Sequence, residues 1–204
     1  MLGRPRQRPA GHAASGFVRA QTIGDQVRGY FAIGAEGISK AMNVGSLWRT
    51  AHAFGASFMF TVGAVYRRDE GGKADTSDSS AQVPLYHFTD VRSLVLPRDC
   101  RLVGVEVLEG AIDLPAFHHP RCAAYVFGPE RASLSPVLVE RCEYVVRIPA
   151  RFALNVAIAG ALVMYDRMIS LGRFAPRPAR PGGPGEDLRK PVFGGPFSRR
   201  KPGA

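Results

Sequence analysis

Four polar side chains in this chain of 204 residues are of types that handle phosphates and sugar hydroxyls. Asn43 and Arg49 lie in Asn43-Val44-Gly45-Ser46-Leu47-Trp48-Arg49-Thr50-Ala51. Glu130 closes Val126-Phe127-Gly128-Pro129-Glu130 and is followed by Arg131. Asn155 stands in Leu154-Asn155-Val156-Ala157, shortly after Arg147-Ile148-Pro149. A guanidinium is a planar, permanently charged fork that grips phosphate and steadies a developing alkoxide. Each residue also has a plainer reading: Asn43 and Asn155 as helix N-caps, Arg49 as a surface residue, Gly128-Pro129 as a tight turn. A turn explains the glycine and proline, but not the carboxylate behind them.

Other chemistries lack their residues. No G-x-G-x-x-G follows the first apolar run, and there is no G-x-x-x-x-G-K-[ST], so neither a dinucleotide cradle nor a phosphate loop is present. Glu106 and Glu109 flank the end of an apolar run and read as solvated, not as a catalytic pair. His118, His119 and Cys122 are close in sequence, but Pro120 interrupts them and a fourth ligand must come from afar. No metal site is expected. Cys100, Cys122 and Cys142 form no C-x-x-C pair and read as reduced thiols.

The elements that must position these residues alternate. Tyr30-Phe31-Ala32-Ile33 is a buried strand, and Val44, Leu47, Trp48, Ala51 and Phe54 recur at helical spacing until Gly55 stops them. Ser57 to Val65 is a second strand, and residues 67 to 84 are a polar, irregular loop. Leu102 to Val105 and Ala123 to Phe127 are further strands. Pro136 to Arg141 is a short helix, and Tyr144 to Ile148 another strand. Asn155 to Ile169 is a helix apolar nearly all round, which predicts burial on most sides, and its small residues Ala153, Ala157 and Ala161 predict a close packing partner. The pattern predicts an α/β domain with a mainly parallel sheet and helices on both faces.

Charge divides the chain further. The net charge is +10. Residues 1–28 carry five arginines against Asp25, and residues 173–204 carry eight basic residues against Glu186 and Asp187, so the stretch between is formally neutral. The expected organisation is a basic disordered arm over 1–28, a folded domain over 29–171 and a basic Pro/Gly-rich disordered tail over 172–204. The arms read either as solubilising segments or as RNA contacts. The longest apolar run, Val156 to Tyr165, is too short to span a bilayer, so a soluble cytoplasmic protein is expected.

In order and spacing, the three strings resemble motifs one, two and three of the SpoU (TrmH-type) branch of the SPOUT methyltransferases, over about residues 29–170. The resemblance implies a deep trefoil knot, an exception to the usual absence of knots. It also implies a homodimer packed on the closing helix, and methyl transfer from S-adenosylmethionine to an RNA ribose 2′-hydroxyl, without a metal. Arg49 matches the family's principal catalytic residue. Asn43 matches the residue supporting the substrate or that arginine, Glu130 one that builds the site, and Asn155 the asparagine near the transferred methyl. Val105, Gly128, Ile148 and Leu154 match the cofactor walls, and Arg49, Arg131 and the basic tails are the expected RNA contacts. The chain departs from the family pattern at Arg131, often glycine, and at Ala153, often serine. The connection from Ile148 to Leu154 is also shorter than in many members. tRNA is slightly favoured over rRNA, because no separate RNA-binding domain precedes the motifs. The rival reading is a knotted RNA-binding or assembly protein without transfer activity.

Overall fold

A computed structural model describes residues 29–65 and 79–172; the two basic arms fall outside these, as do residues 66–78. Among the described residues, seven strands and four α-helices follow in the order β1 (Tyr30–Glu36), α1 (Ala41–Phe54), β2 (Phe58–Val62), α2 (Ser79–Gln82), β3 (Leu85–Phe88), β4 (Arg101–Val105), β5 (Ile112–Asp113), β6 (Cys122–Phe127), α3 (Pro136–Arg141), β7 (Tyr144–Arg147) and α4 (Val156–Leu171), with one 3-10 turn at Leu114–Ala116. The strands form one sheet in the order β3-β2-β1-β6-β4-β7-β5. Every pairing is parallel. The chain runs outward from β1 through β2 to β3, then crosses to build the other half, so the order reverses between β1 and β6. In open parallel sheets ligands collect at the carboxyl edge beside such a reversal.

Side-chain alternation divides the core into two layers. Phe31, Ile33, Val103, Tyr125 and Val146 face α1 and α4. Ala32, Phe60, Leu102, Val126 and Leu138 form the layer on the opposite face, under α3. Helices on both faces match the expectation. Residues Ala123 to Phe127 of β6 are all buried, as an unbroken apolar run in the middle of a parallel sheet should be. Gly34 in β1 is opposite Phe60 of β2. A Cβ there would lie 2.2 Å from the phenyl ring, so only glycine lets that ring lie across the strand.

Several expectations need correction. Asn43 does not cap α1: the cap position is Lys40, without a side-chain cap bond, and Asn43 lies buried in the first turn. Glu130 replaces the local cap, its carboxylate accepting from the backbone N–H groups of Ser39 and Lys40 at 3.2 Å each. Negative charge is favourable at that end of a helix, and a residue some ninety positions away supplies it. The other end behaves as expected: Gly55 is left-handed at φ 75°, and Ala56 N–H closes onto Ala51. The second strand is shorter than predicted. Strands β3 and β5 and the one-turn helix α2 were not anticipated.

The closing helix also differs. Asn155 caps α4 by accepting from Ala157 N–H at 2.9 Å, and the helix runs on to Leu171. One stripe of it is open: Ile158, Leu162 and Tyr165 are 55%, 40% and 47% exposed. Gly160 makes a close approach to α1, where a Cβ would lie 2.4 Å from Leu47 Cδ1, and Ala157 is buried in the core cluster that includes Leu47. The inner side of α4 carries the fully buried Arg167 to the amino edge of the sheet. Its guanidinium donates to the carbonyls of Pro120 (2.5 Å), Arg121 (2.6 Å) and Tyr30 (3.3 Å), and to the Tyr125 hydroxyl (3.3 Å). It also lies over the Phe31 ring. The His119 ring is sealed beside it, bonded to the Tyr125 hydroxyl (2.6 Å) and to Asp166 (2.9 Å). His119 is thus occupied structurally, and no metal-holding cluster occurs among the described residues.

Candidate functional site

At the carboxyl edge, the ends of β4, β6 and β7 and the start of α4 enclose a cavity of about 530 Å³. A volume of this order suits a small organic molecule. Val105, Gly128, Ile148 and Leu154, the four residues expected to wall a cofactor, all line it. The apolar wall is continuous with the core, since Ile148 and Leu154 pack on the layer that holds Val105. Gly128 makes the turn possible: a Cβ would lie 3.0 Å from Leu134 N and 3.1 Å from Glu106 Oε2. At that distance backbone would have to move.

The polar side of the cavity is a chain of hydrogen bonds. Asn155 Nδ2 donates to Asn43 Oδ1 at 3.0 Å, and Asn43 Nδ2 donates to Glu130 Oε1 at 2.9 Å. Ser39 Oγ donates to Glu130 Oε2 at 3.0 Å. Residues separated by 112 and 87 positions in sequence thus meet in one file at the cavity's rim. Burial pushes the Glu130 carboxyl up, but the bonds from Asn43, its own backbone and Ser39 outweigh this and hold it below the ordinary 4.5. With two donors on each oxygen its acceptor positions are filled. Its work is to hold α1, the turn and α4 in register.

Two other expected residues stand differently. Arg131 is exposed and lines the cavity rim. Arg49 is exposed on α1 and is not part of the lining. It lies six residues beyond Asn43, about 9 Å along the helix axis and about a third of a turn away around it. The structure unites Asn43, Glu130 and Asn155 with the apolar walls, and leaves Arg49 outside the cavity.

Three features escaped the sequence reading. Glu106 is not simply solvated: it lines the cavity, accepting from Val107 N–H and Leu134 N–H at 2.9 Å each, whereas Glu109 is exposed as expected. Glu36 accepts from Ser135 N–H (2.7 Å) and hydroxyl (2.6 Å), fixing the residue that caps α3. Lys40 and the 77% exposed Phe152 add a cation and an aromatic ring to the rim. The one available signal was position, since Glu36, Glu106 and Glu130 each end or closely follow a strand of a parallel sheet.

No curated protein matches the chain. Among solved structures it is similar to the SpoU methyltransferase AviRb of Streptomyces viridochromogenes in complex with the cofactor AdoMet. That match has a TM-score of 0.62 and 23% identity, over 73% of this chain and 62% of that one. It is also similar to an AdoMet-bound rRNA methyltransferase of Sinorhizobium meliloti, with a TM-score of 0.63 and 21% identity, over 75% of this chain and 62% of that one. The chain therefore spans about three fifths of the length of these two. A third similar structure, described as giving insight into 2-OH methylation of C/U34 on tRNA, has a TM-score of 0.61 and 21% identity, over 70% of this chain and 97% of that one. At such identities these are likenesses of fold. A family model does more: it spans residues 30–165, well over half of the chain, and by that match the chain belongs to the SpoU rRNA methylase family.

Proposed function

We propose that this protein is an RNA methyltransferase that moves a methyl group from S-adenosylmethionine to a ribose 2′-hydroxyl, with tRNA favoured over rRNA. The observation that carries this reading is the convergence of Asn43, Glu130 and Asn155 on the rim of the cavity walled by Val105, Gly128, Ile148 and Leu154. Family membership supports it, as do AdoMet-bound structures of the same fold. The similar tRNA-directed structure, matched over nearly its whole length, supports the choice of nucleic acid.

The cavity fits the donor: its apolar residues Val105, Ile148 and Leu154 suit an adenine, and Asn43 and Asn155 add hydrogen-bonding groups to the same lining. Bound there, S-adenosylmethionine supplies a methyl group already activated by its positive sulfur, and an in-line displacement of this kind needs alignment more than a metal. Asn155 and Asn43 orient groups at the rim, with Glu130 fixing the Asn43 amide and Asn43 in turn that of Asn155. Arg49 grips the phosphate beside the target ribose and stabilises its developing alkoxide. Because Glu130 is filled by donors, a phosphate oxygen of the RNA takes the hydroxyl proton. Arg131 and the basic arms add sequence-independent attraction to the backbone. The open stripe of Ile158, Leu162 and Tyr165 is the contact for a second copy of the chain in a homodimer, and the chain carries the deep trefoil knot expected from the family. The setting of this work is the cytoplasm.

The test is transfer of labelled methyl to purified tRNA and rRNA, followed by nucleoside analysis, with and without a chelator. The expected product is a 2′-O-methylnucleoside in tRNA, unaffected by chelation. A base-methylated product would overturn the assignment. RNA binding with no transfer to any RNA would favour the non-catalytic rival.

A further inference from the structure

The two carboxylates that line the cavity differ in how much hydrogen-bonding capacity remains to them. An ionised carboxylate offers about four acceptor positions. Glu130 has filled its set: Lys40 N–H and Asn43 Nδ2 on one oxygen, Ser39 N–H and hydroxyl on the other. Glu106 has not. Val107 N–H occupies Oε1 and Leu134 N–H occupies Oε2, and among the described residues it accepts no other hydrogen bond. One acceptor position per oxygen is left, side by side, on a group that borders the cavity and is pressed against the Gly128 turn. A half-buried carboxylate with two spare positions can accept two donors from a molecule in the cavity.

We propose that Glu106 binds the vicinal 2′- and 3′-hydroxyls of the methyl donor's own ribose, one on each carboxylate oxygen. This rests on the functional reading above and deepens it. A vicinal diol presents two O–H groups at the spacing of the two oxygens of a carboxylate. Position supports the sugar over the amino-acid end. Glu106 directly follows Val105, one of the apolar walls assigned to adenine, and ribose is bonded directly to adenine while the ammonium group lies at the far end of the molecule. The backbone bonds to Val107 and Leu134 hold the carboxylate in place before anything binds, so little ordering is needed on arrival.

The experiment uses calorimetry with the full-length protein, S-adenosylhomocysteine, and its 2′-deoxy and 3′-deoxy analogues. For the wild type, each missing hydroxyl should weaken binding by about tenfold or more, the usual worth of a hydrogen bond to a charged group. In Glu106→Ala the parent compound should bind at least about tenfold more weakly, and the penalty for a missing hydroxyl should fall to within about twofold. A merely loop-holding Glu106 would weaken all three ligands equally and leave the penalty intact; that result overturns the proposal. So does a wild type that does not distinguish the analogues, which decides the matter even if the alanine variant does not fold. Glu106→Gln keeps the shape and one carbonyl acceptor, and should show a smaller penalty than the wild type. If the wild type binds neither S-adenosylhomocysteine nor S-adenosylmethionine, the functional reading itself falls, an outcome distinct from loss of hydroxyl discrimination.

Discussion

The two edges of the sheet carry polar clusters of similar make-up and opposite design. At the amino edge, Arg167, His119 and Tyr125 are within 1% of complete burial, and they bond to one another, to backbone carbonyls and to Asp166. At the carboxyl edge, Glu36, Glu106 and Glu130 are half-buried and bind backbone and side-chain donors of the loops that frame a cavity. A buried polar network that is closed on itself stabilises one arrangement of the chain. A network left open toward a cavity can bind something else. Under the proposed function, stability and activity lie at opposite ends of the same strands.

The sharpest way to break this contrast is at the sealed end. Arg167→Met leaves three carbonyls and a hydroxyl without their donor, and should cost about 3 kcal/mol or more of unfolding free energy, read by chemical denaturation. Donor affinity per folded molecule should be unchanged. At the open end the loss should appear in activity instead. Arg49→Ala should reduce methyl transfer by about a hundredfold, roughly 2.7 kcal/mol, with the melting temperature unaltered, and Arg49→Lys should rescue poorly because an ammonium lacks the planar fork. Near-normal transfer in Arg49→Ala would remove that residue from the mechanism.

Glu130→Gln tests the middle of the open network. An amide places N–H groups against donors, so donor binding should weaken by about fivefold to tenfold, roughly 1 to 1.4 kcal/mol, measured by calorimetry. The smallest effect is with pH. Burial lowers the His119 pKa below the ordinary 6.5, although Asp166 opposes it. The unfolded chain then takes up a proton that the folded chain resists, so the contribution is complete above about 6.5 and is lost as pH falls through the folded value. Glu130 acts in the same direction at lower pH, its depressed pKa adding stability that disappears as pH falls through and below the ordinary carboxylate range. His119→Gln should flatten the upper part of this profile and leave the lower part in place.

Much of the frame was legible because parallel strands buried on both faces read as plain apolar runs, as in Ala123 to Phe127, and because Gly55 and Asn155 mark helix ends by local chemistry. β3 was not legible: Leu85-Tyr86-His87-Phe88 is short and only partly buried. β5 is two residues held by its neighbour β7. Asn43 was misread as a cap because the group that relieves the start of α1 comes from the far side of the reversal in strand order. Glu106 looked solvated because nothing local shows that residues 128 to 134 fold back over it. The open stripe of α4 could not be told from its buried sides for a different reason: an apolar side chain looks the same in sequence whether it is covered or exposed.

The central place of β1 has a consequence for the birth of the molecule. Tyr30 to Ala35 pair on one side with β2, close behind in the chain, and on the other with Cys122 to Phe127, some ninety residues later. At ordinary rates of synthesis those ninety residues take about 5–20 s to appear. For that interval the strand destined for the middle of the sheet has a bare edge, rich in unpaired N–H and C=O groups and flanked by Phe31 and Ile33. Closing so long a loop makes β1–β6 pairing a late and slow event, and half-made chains meeting through that edge are the expected route to misassembly.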